Sequence, residues 1–202
     1  MAYDLLVFDL DGTLIDSAPD IVAALQRVQA RLGRPVLPDA RIVAAIGKGV
    51  RRLIEQTSEP PHEPVIDAFM ADYAEHLLDR TRLYPGVAEI LPSLPGRKII
   101  LSNKPEALSK KVVEGLGLAR HFEAVYGGDS FPVRKPDPEC FRRAVGDAKA
   151  PLMIGDSGVD VQTARNAGAK VVGVTWGYAK PGELDAADRR IGRFDELLDV
   201  LR

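Results

Sequence analysis

Residues Leu5 to Leu14 read Leu-Leu-Val-Phe-Asp-Leu-Asp-Gly-Thr-Leu, an apolar run that climbs into two acidic residues and breaks at a glycine. The run is short and has no clean polar alternation, which predicts a strand covered on both faces, as in a parallel sheet. Such a strand needs crossover helices elsewhere in the chain. Asp9 and Asp11 are two apart, so on a continuing strand both would point to the same side. Two neighbouring carboxylates repel each other and cost desolvation energy, a penalty that a divalent cation removes. A solvated acidic turn is the other reading, and the pair by itself leaves the two open.

The rest of the chain supplies the helices. Residues 16–82 are helical by pattern. Ser17 and Asp20 have the spacing of a capping box, with Pro19 in the first turn, and Ile21, Leu25, Val28 and Leu32 keep one face until Gly33. Asp39 is placed to cap a short helix carrying Ile42, Val43 and Ile46 that ends at Gly47, and Val50, Leu53 and Ile54 mark another. Pro60, Pro61 and Pro64 break the chain before a fourth helix faced by Ile66, Phe69, Met70, Tyr73 and Leu77. Beyond the turn at Tyr84-Pro85-Gly86 the texture changes. Buried strands are predicted over 98–103, 123–127, 151–155 and 171–174. Helices are predicted from Pro105, over 138–148, from Asp156 to Gly168 and over 194–201.

Alternating strand and helix is the signature of a parallel sheet with crossovers. The expected fold is therefore α/β. A Rossmann-like parallel sheet core is formed by residues 1–15 and 83–202, and a small all-helical cap, residues 16–82, is inserted after the first strand.

The chain has 202 residues, a formal net charge of −2 and 46% hydrophobic residues, which fits one domain with an insertion and gives no charge argument for nucleic acid or an acidic membrane. Its one cysteine, Cys140, lies on an apolar helical face and reads as packing. His62, His76 and His121 lack ligand spacing. No leader fits ahead of the first strand and no apolar run approaches membrane-spanning length, so the expectation is a cytoplasmic protein that acts on neither nucleic acid nor membrane.

In open parallel sheets, ligands bind beyond the carboxyl ends of the strands. Asp9 and Asp11 follow the first strand and Ser102 and Asn103 the second. Lys135 sits in the loop after the third, and Asp156, Ser157 and Asp160 follow the fourth. Each has an ordinary explanation as a turn residue, a surface lysine or a helix cap. Their joint placement at successive strand ends points instead to phosphoryl transfer. Carboxylates such as Asp9, Asp11 and Asp156 suit magnesium. One carboxylate can attack phosphorus while a second moves the proton. Ser102, Lys135 and backbone amides after Asp9 can hold the phosphoryl oxygens. Asn103 to Glu106 is spaced as a helix start, which would add an anion site, and Gly12 lets the backbone approach a phosphate.

These residues resemble the haloacid dehalogenase-like hydrolase superfamily. Asp9-Leu10-Asp11-Gly12-Thr13-Leu14 matches its first motif, Ser102 the second, Lys135 the third, and Gly155-Asp156-Ser157 with Asp160 the fourth. The helical insertion resembles the family's C1 cap. The resemblance implies that Asp9 is the nucleophile and a magnesium ligand. It implies that Asp11 is the general acid/base and binds metal through its backbone carbonyl. Ser102 and Lys135 would hold the phosphoryl group, and Asp156 would ligate the metal. Asp160 would be a ligand through water or a support for one. Gly12, Thr13, Asn103 and Lys48 are expected to meet the substrate.

Within the superfamily, the stretches Asp16-Ser17-Ala18-Pro19-Asp20, Ser102-Asn103-Lys104-Pro105 and Val174-Thr175-Trp176-Gly177-Tyr178 resemble phosphoglycolate phosphatases. A small phosphorylated metabolite, 2-phosphoglycolate, is the implied substrate. A phosphomutase similar to β-phosphoglucomutase, or a phosphatase or pyrophosphatase for another small phosphate compound, is the alternative. A signalling receiver domain fits less well, because its acceptor aspartate follows a later strand. Lys48, between Gly47 and Gly49, reads either as a solvated lysine in an inter-helix turn or, with Arg51 or Arg52, as a reader of an anionic substrate group. Trp176 and Tyr178 read as loop packing. The sequence is compatible with a monomer or a homodimer.

Overall fold

The computed structural model describes residues 3–202. In chain order it contains β1 (Leu5–Phe8), β2 (Ile15–Asp16), α1 (Ala18–Arg31), α2 (Asp39–Val43), α3 (Val50–Thr57) and α4 (Glu63–Glu75). The chain continues with β3 (Arg82–Leu83), α5 (Val87–Ile90), β4 (Arg97–Leu101), α6 (Glu106–Gly115), β5 (Ala124–Tyr126) and α7 (Pro138–Val145). It closes with β6 (Pro151–Gly155), α8 (Gly158–Ala167), β7 (Lys170–Val174), β8 (Arg189–Ile191) and α9 (Leu197–Val200). Six strands form one parallel sheet in the order β5-β4-β1-β6-β7-β8.

The apolar run at the start of the chain becomes the central strand because both of its faces are covered. Leu6 and Phe8 pack into one apolar cluster with Ile100, Ile154 and Phe194, while Leu5 and Val7 pack into another with Ile99, Met153 and Phe141. Residues of opposite parity on one strand thus serve opposite faces, as the strand's twofold period requires. β1 pairs with β4 on one side and β6 on the other. The strand order reverses at this point, so a crevice opens beyond its carboxyl end.

The chain leaves the sheet layer through β2 and returns through β3, and these pair antiparallel as Ile15 with Leu83 and Asp16 with Arg82. Between them run α1 to α4, whose Leu25, Ile54 and Phe69 join the same apolar cluster as Leu6 and Phe8 by way of Leu10, Leu14 and Ile15.

The expected capping box at the head of α1 is not formed. Ser17 occupies the N-cap position but makes no cap bond, because its hydroxyl is committed to Asp11. Asp20 is buried and accepts instead from the N–H groups of Arg80 and Thr81 and from the Thr81 hydroxyl. α2 starts from Pro38 rather than from an Asp39 cap and ends at Val43, short of Gly47. The last predicted helix is a 3₁₀ turn over Phe194–Glu196 followed by α9. The short strands β2, β3 and β8 were not predicted.

Asp20 therefore joins the first turn of α1 to the chain that returns from α4. Asp20→Ala strands three donors, two of them buried, and its unfolding free energy in urea should fall by about 3 kcal/mol. A change within about 0.5 kcal/mol, the range of ordinary surface substitutions, would show that these bonds do not hold the returning segment.

Candidate active site

The carboxyl ends of β1, β4 and β6, with the loop after β5, converge on one cleft. Asp9 follows β1 directly, and its N–H is still in the sheet, donating to the Ile154 carbonyl at 2.9 Å. Its Oδ1 accepts from the Leu10 N–H at 2.8 Å and lies 2.9 Å from the Lys135 ammonium. Lys135 also donates to Asp160 Oδ1 at 2.7 Å. The second oxygen of Asp160 accepts from the Ser157 N–H at 3.1 Å and its hydroxyl at 2.7 Å, and this capping box opens α8. Asp156 Oδ1 accepts from the Thr13 hydroxyl at 3.2 Å, and its Oδ2 accepts from the Tyr178 N–H at 2.7 Å. Asp9, Asp156, Asp160 and Lys135 are all buried.

Asp156 is walled in by backbone. Gly12 has φ +87°, and a Cβ there would stand 2.2 Å from Asp156 Oδ2; one on Gly177 would stand 2.4 Å from the same oxygen. Glycine at both positions is thus a packing requirement at the carboxylate, and the positive φ at Gly12 adds a conformational one.

Burial, then the charge of Asp160, push the Asp9 carboxyl up to about 7 against the opposing Lys135 ammonium. Burial, then Asp160 and Asp9, likewise hold Asp156 well above the usual carboxylate range. Burial works against the Lys135 ammonium, but Asp160 and Asp9 outweigh it and leave its pKa above the ordinary lysine value. One buried ammonium thus faces three carboxylates, each of which offers an oxygen within 4.8 Å of the others. Hard oxygen donors in a negatively charged, desolvated cluster fit a divalent cation of the magnesium type. A bound cation would relieve the repulsion that raises Asp9 and Asp156.

Asp11 does not stand beside Asp9. β1 ends at Phe8, and the chain turns so that Asp11 belongs to a second network. Its Oδ1 accepts from the Ser17 hydroxyl at 2.5 Å, and the Lys104 ammonium lies 3.0 and 3.3 Å from its two oxygens. Lys104 is buried, donates to the Tyr73 hydroxyl at 2.5 Å and sits 4.6 Å from the centre of that ring. The sequence reading missed Lys104 and Tyr73. Lys104 stood only inside a matched motif, and Tyr73 read as helix face; no local pattern shows that they meet across the cleft.

Ser102 is buried at the end of β4, and its Oγ accepts from the Lys104 N–H at 3.2 Å. Asn103 does not begin a helix. α6 starts at Glu106 with Pro105 at its N-cap, so the expected anion site at a helix N-terminus is absent at Asn103. Its side-chain amide instead donates to the Gly47 and Lys135 carbonyls, both at 3.0 Å, and leaves Oδ1 buried with no partner.

Lys48 is exposed at a neighbouring recess that also touches Asp11, Asp156 and Tyr178. Arg51 and Arg52 are drawn into ion pairs with Glu63 and Glu55 and do not join it. Tyr178 does more than pack its loop. Besides the bond to Asp156, its hydroxyl donates to Asp16 at 2.8 Å. Burial first, then Tyr84, Asp11 and Asp16, push its phenol well above the ordinary value. Trp176 donates its ring N–H to the Thr13 carbonyl at 3.1 Å.

A buried nucleophile candidate, an ammonium beside it and a separate carboxylate network at the switch point of a parallel sheet define a hydrolase-type centre. The family model for haloacid dehalogenase-like hydrolases matches residues 6–174, and the chain belongs to that family. A phosphoglycolate phosphatase of Mesorhizobium japonicum is 37% identical, over 96% of this chain and 89% of that protein. One encoded on a Cupriavidus necator plasmid is 40% identical, over 88% and 83%. Among solved structures, a haloacid dehalogenase-like hydrolase of Bacteroides fragilis superposes with a TM-score of 0.89 at 29% identity, covering 96% of this chain and 99% of that one. A predicted phosphoglycolate phosphatase of Haemophilus somnus superposes with a TM-score of 0.91 at 26% identity, covering 100% and 99%.

The carboxylate cluster makes a cation prediction. Magnesium at about 100-fold above its Kd should raise the wild-type Tm by about 5–10 °C. Asp156→Asn removes one of the three crowded charges. Without metal it should melt above the wild type, and magnesium should no longer move it. A wild-type Tm that ignores divalent cations would count against the site.

Proposed function

We propose that this protein is a magnesium-dependent phosphatase that hydrolyses 2-phosphoglycolate through an aspartyl-phosphate. The observation that carries the reading is that two carboxylates only two residues apart lie in separate hydrogen-bond networks. Among the described residues, the hydrogen bonds that Asp9 accepts all fall on Oδ1, so Oδ2 is available to attack phosphorus. Asp11 has a network of its own with Ser17 and Lys104, facing the same cleft as Asp9.

In the first step the Asp9 oxygen forms a bond to phosphorus as the ester P–O bond breaks, and Asp11 gives its proton to the departing alkoxide. In the second, Asp11 takes a proton from water as that water's oxygen attacks the aspartyl-phosphate, releasing phosphate and restoring Asp9. Ser102 and Lys135 hold the phosphoryl oxygens, and Gly12 and Thr13 shape the backbone around them. Asp9 and Asp156, the Asp11 carbonyl and the supporting Asp160 would hold magnesium, which supplies positive charge to the phosphoryl group.

Residues 16–82 act in this reading as the cap over a core of residues 1–15 and 83–202. In support, one cleft is lined from the core by Asp9, Asp11 and Lys104 and from the helices by Leu53, Phe69 and Tyr73. Its helical wall is apolar and offers few partners for sugar hydroxyls, which favours a small acid over the phosphomutase alternative. The names of the relatives support 2-phosphoglycolate in particular. Lys104 is a buried cation lining that cleft, and we assign it, with Lys48 at the neighbouring recess, to the reading of the substrate's acid end.

Phosphate release from 2-phosphoglycolate with magnesium tests the proposal. Asp9→Ala should abolish it, and Asp11→Asn should lower kcat by about 10²–10⁴. Full activity of Asp9→Ala in excess EDTA would sink the reading. Lys104→Met should raise KM for 2-phosphoglycolate by about 10-fold or more, the scale of a lost charge-assisted bond, and raise it less for ethyl phosphate. Equal changes for the two esters would remove Lys104 from substrate reading. Lys48→Ala carries the same comparison.

A further inference from the structure

The loop after β7 carries Tyr178 across the open end of the sheet. Its backbone N–H donates to Asp156 Oδ2 at 2.7 Å, which anchors it to the carboxylate cluster. Its hydroxyl donates to Asp16 Oδ1 at 2.8 Å and accepts from the N–H groups of Ser17 and Ala18, both at 3.0 Å. A phenol offers one donor and two acceptor positions, so this hydroxyl is fully used. The Ser17 side chain makes no cap bond to α1. The Ser17 and Ala18 N–H groups instead meet Tyr178, 161 positions from Ser17 in sequence, and the Ala18 N–H is shared with Asp16 Oδ1 at 3.3 Å. Freed from capping, the Ser17 hydroxyl donates to Asp11 Oδ1 at 2.5 Å.

We propose that Tyr178 is a positioning residue for Asp11. Its hydroxyl fixes the backbone of Ser17, and the Ser17 hydroxyl fixes the carboxyl that protonates the leaving oxygen. The same residue touches Asp156, so it sets the proton donor in register with the phosphoryl site. The inference rests on the reading of Asp11 as the acid of the first step. A proton donor must lie within hydrogen-bond reach of the atom it serves, and displacement by an ångström costs about 10²-fold in rate.

Leaving-group dependence separates this role from a merely structural one. The alkoxide of 2-phosphoglycolate needs a proton as it departs, whereas the nitrophenolate of p-nitrophenyl phosphate is stable without one. The experiment compares kcat/KM, which reports the first chemical step, for both esters with magnesium present. Tyr178→Phe should lower kcat/KM for 2-phosphoglycolate by about 10–10²-fold and leave p-nitrophenyl phosphate within about threefold.

Ser17→Ala removes only the last link. It should reproduce that pattern and stands alone if the tyrosine variant fails to fold. The double variant should lose little beyond either single one, since both act through the same contact. Equal losses on the two esters, or additive losses in the double variant, would overturn the proposal. A wild-type protein that releases phosphate from neither ester would instead overturn the phosphatase reading beneath it.

Discussion

The buried ammonium of Lys135, held between Asp9 and Asp160, is the interaction on which the site depends. Three carboxylates crowded in a desolvated space repel one another, and Lys135 is the side-chain cation among them. Removing one partner of a buried ion pair leaves an uncompensated charge, which costs far more than the pair contributes. The surrounding chain is arranged around that fact. Backbone N–H groups of Leu10, Ser157 and Tyr178 each donate to one of the three carboxylates. Glycines at 12 and 177 let the main chain close on Asp156 where any side chain would collide. The excess negative charge that remains is what a divalent cation would balance.

A second charge pair, Asp11 with Lys104, lies where helices and sheet meet. It draws together four parts of the chain that border the cleft: the turn after β1, the head of α1, α4 through Tyr73 and the loop after β4. The two networks touch through Tyr178 and through the short run from Asp9 to Asp11. Two aspartates two residues apart thereby acquire different surroundings, the condition under which neighbouring carboxylates can take different chemical roles.

The layout of the sheet was legible because it rests on local signals. Apolar strands, helical periods and punctuating glycines placed each strand of the parallel sheet except β8, and the residues at the strand ends followed from that order. Where the reading failed, a distant partner had taken over a local role. Ser17 and Asp20 have capping-box spacing, but Asp11 claims the hydroxyl of one and the segment at Arg80 and Thr81 claims the carboxylate of the other. Asn103 was expected to open a helix, yet its amide spans the Gly47 and Lys135 carbonyls. Lys104 and Tyr73 were missed, and Tyr178 read only as loop packing, for the same reason: their partners are far away in sequence. β2, β3 and β8 were too short to carry a period.

The pairing of β2 with β3 has a consequence for how the chain tolerates change. Because Asp16 lies opposite Arg82, residues 17–81 are, in topological terms, the loop of a β-hairpin. The ends of a hairpin loop stay together whatever its contents, and lengthening a closed loop adds little entropic cost. Helices can therefore be lengthened or exchanged inside that loop at little cost to its closure, provided their apolar faces still cover the cluster around Leu6 and Phe8. The carboxylate cluster is anchored to the sheet, while the helices hang from a two-residue ribbon.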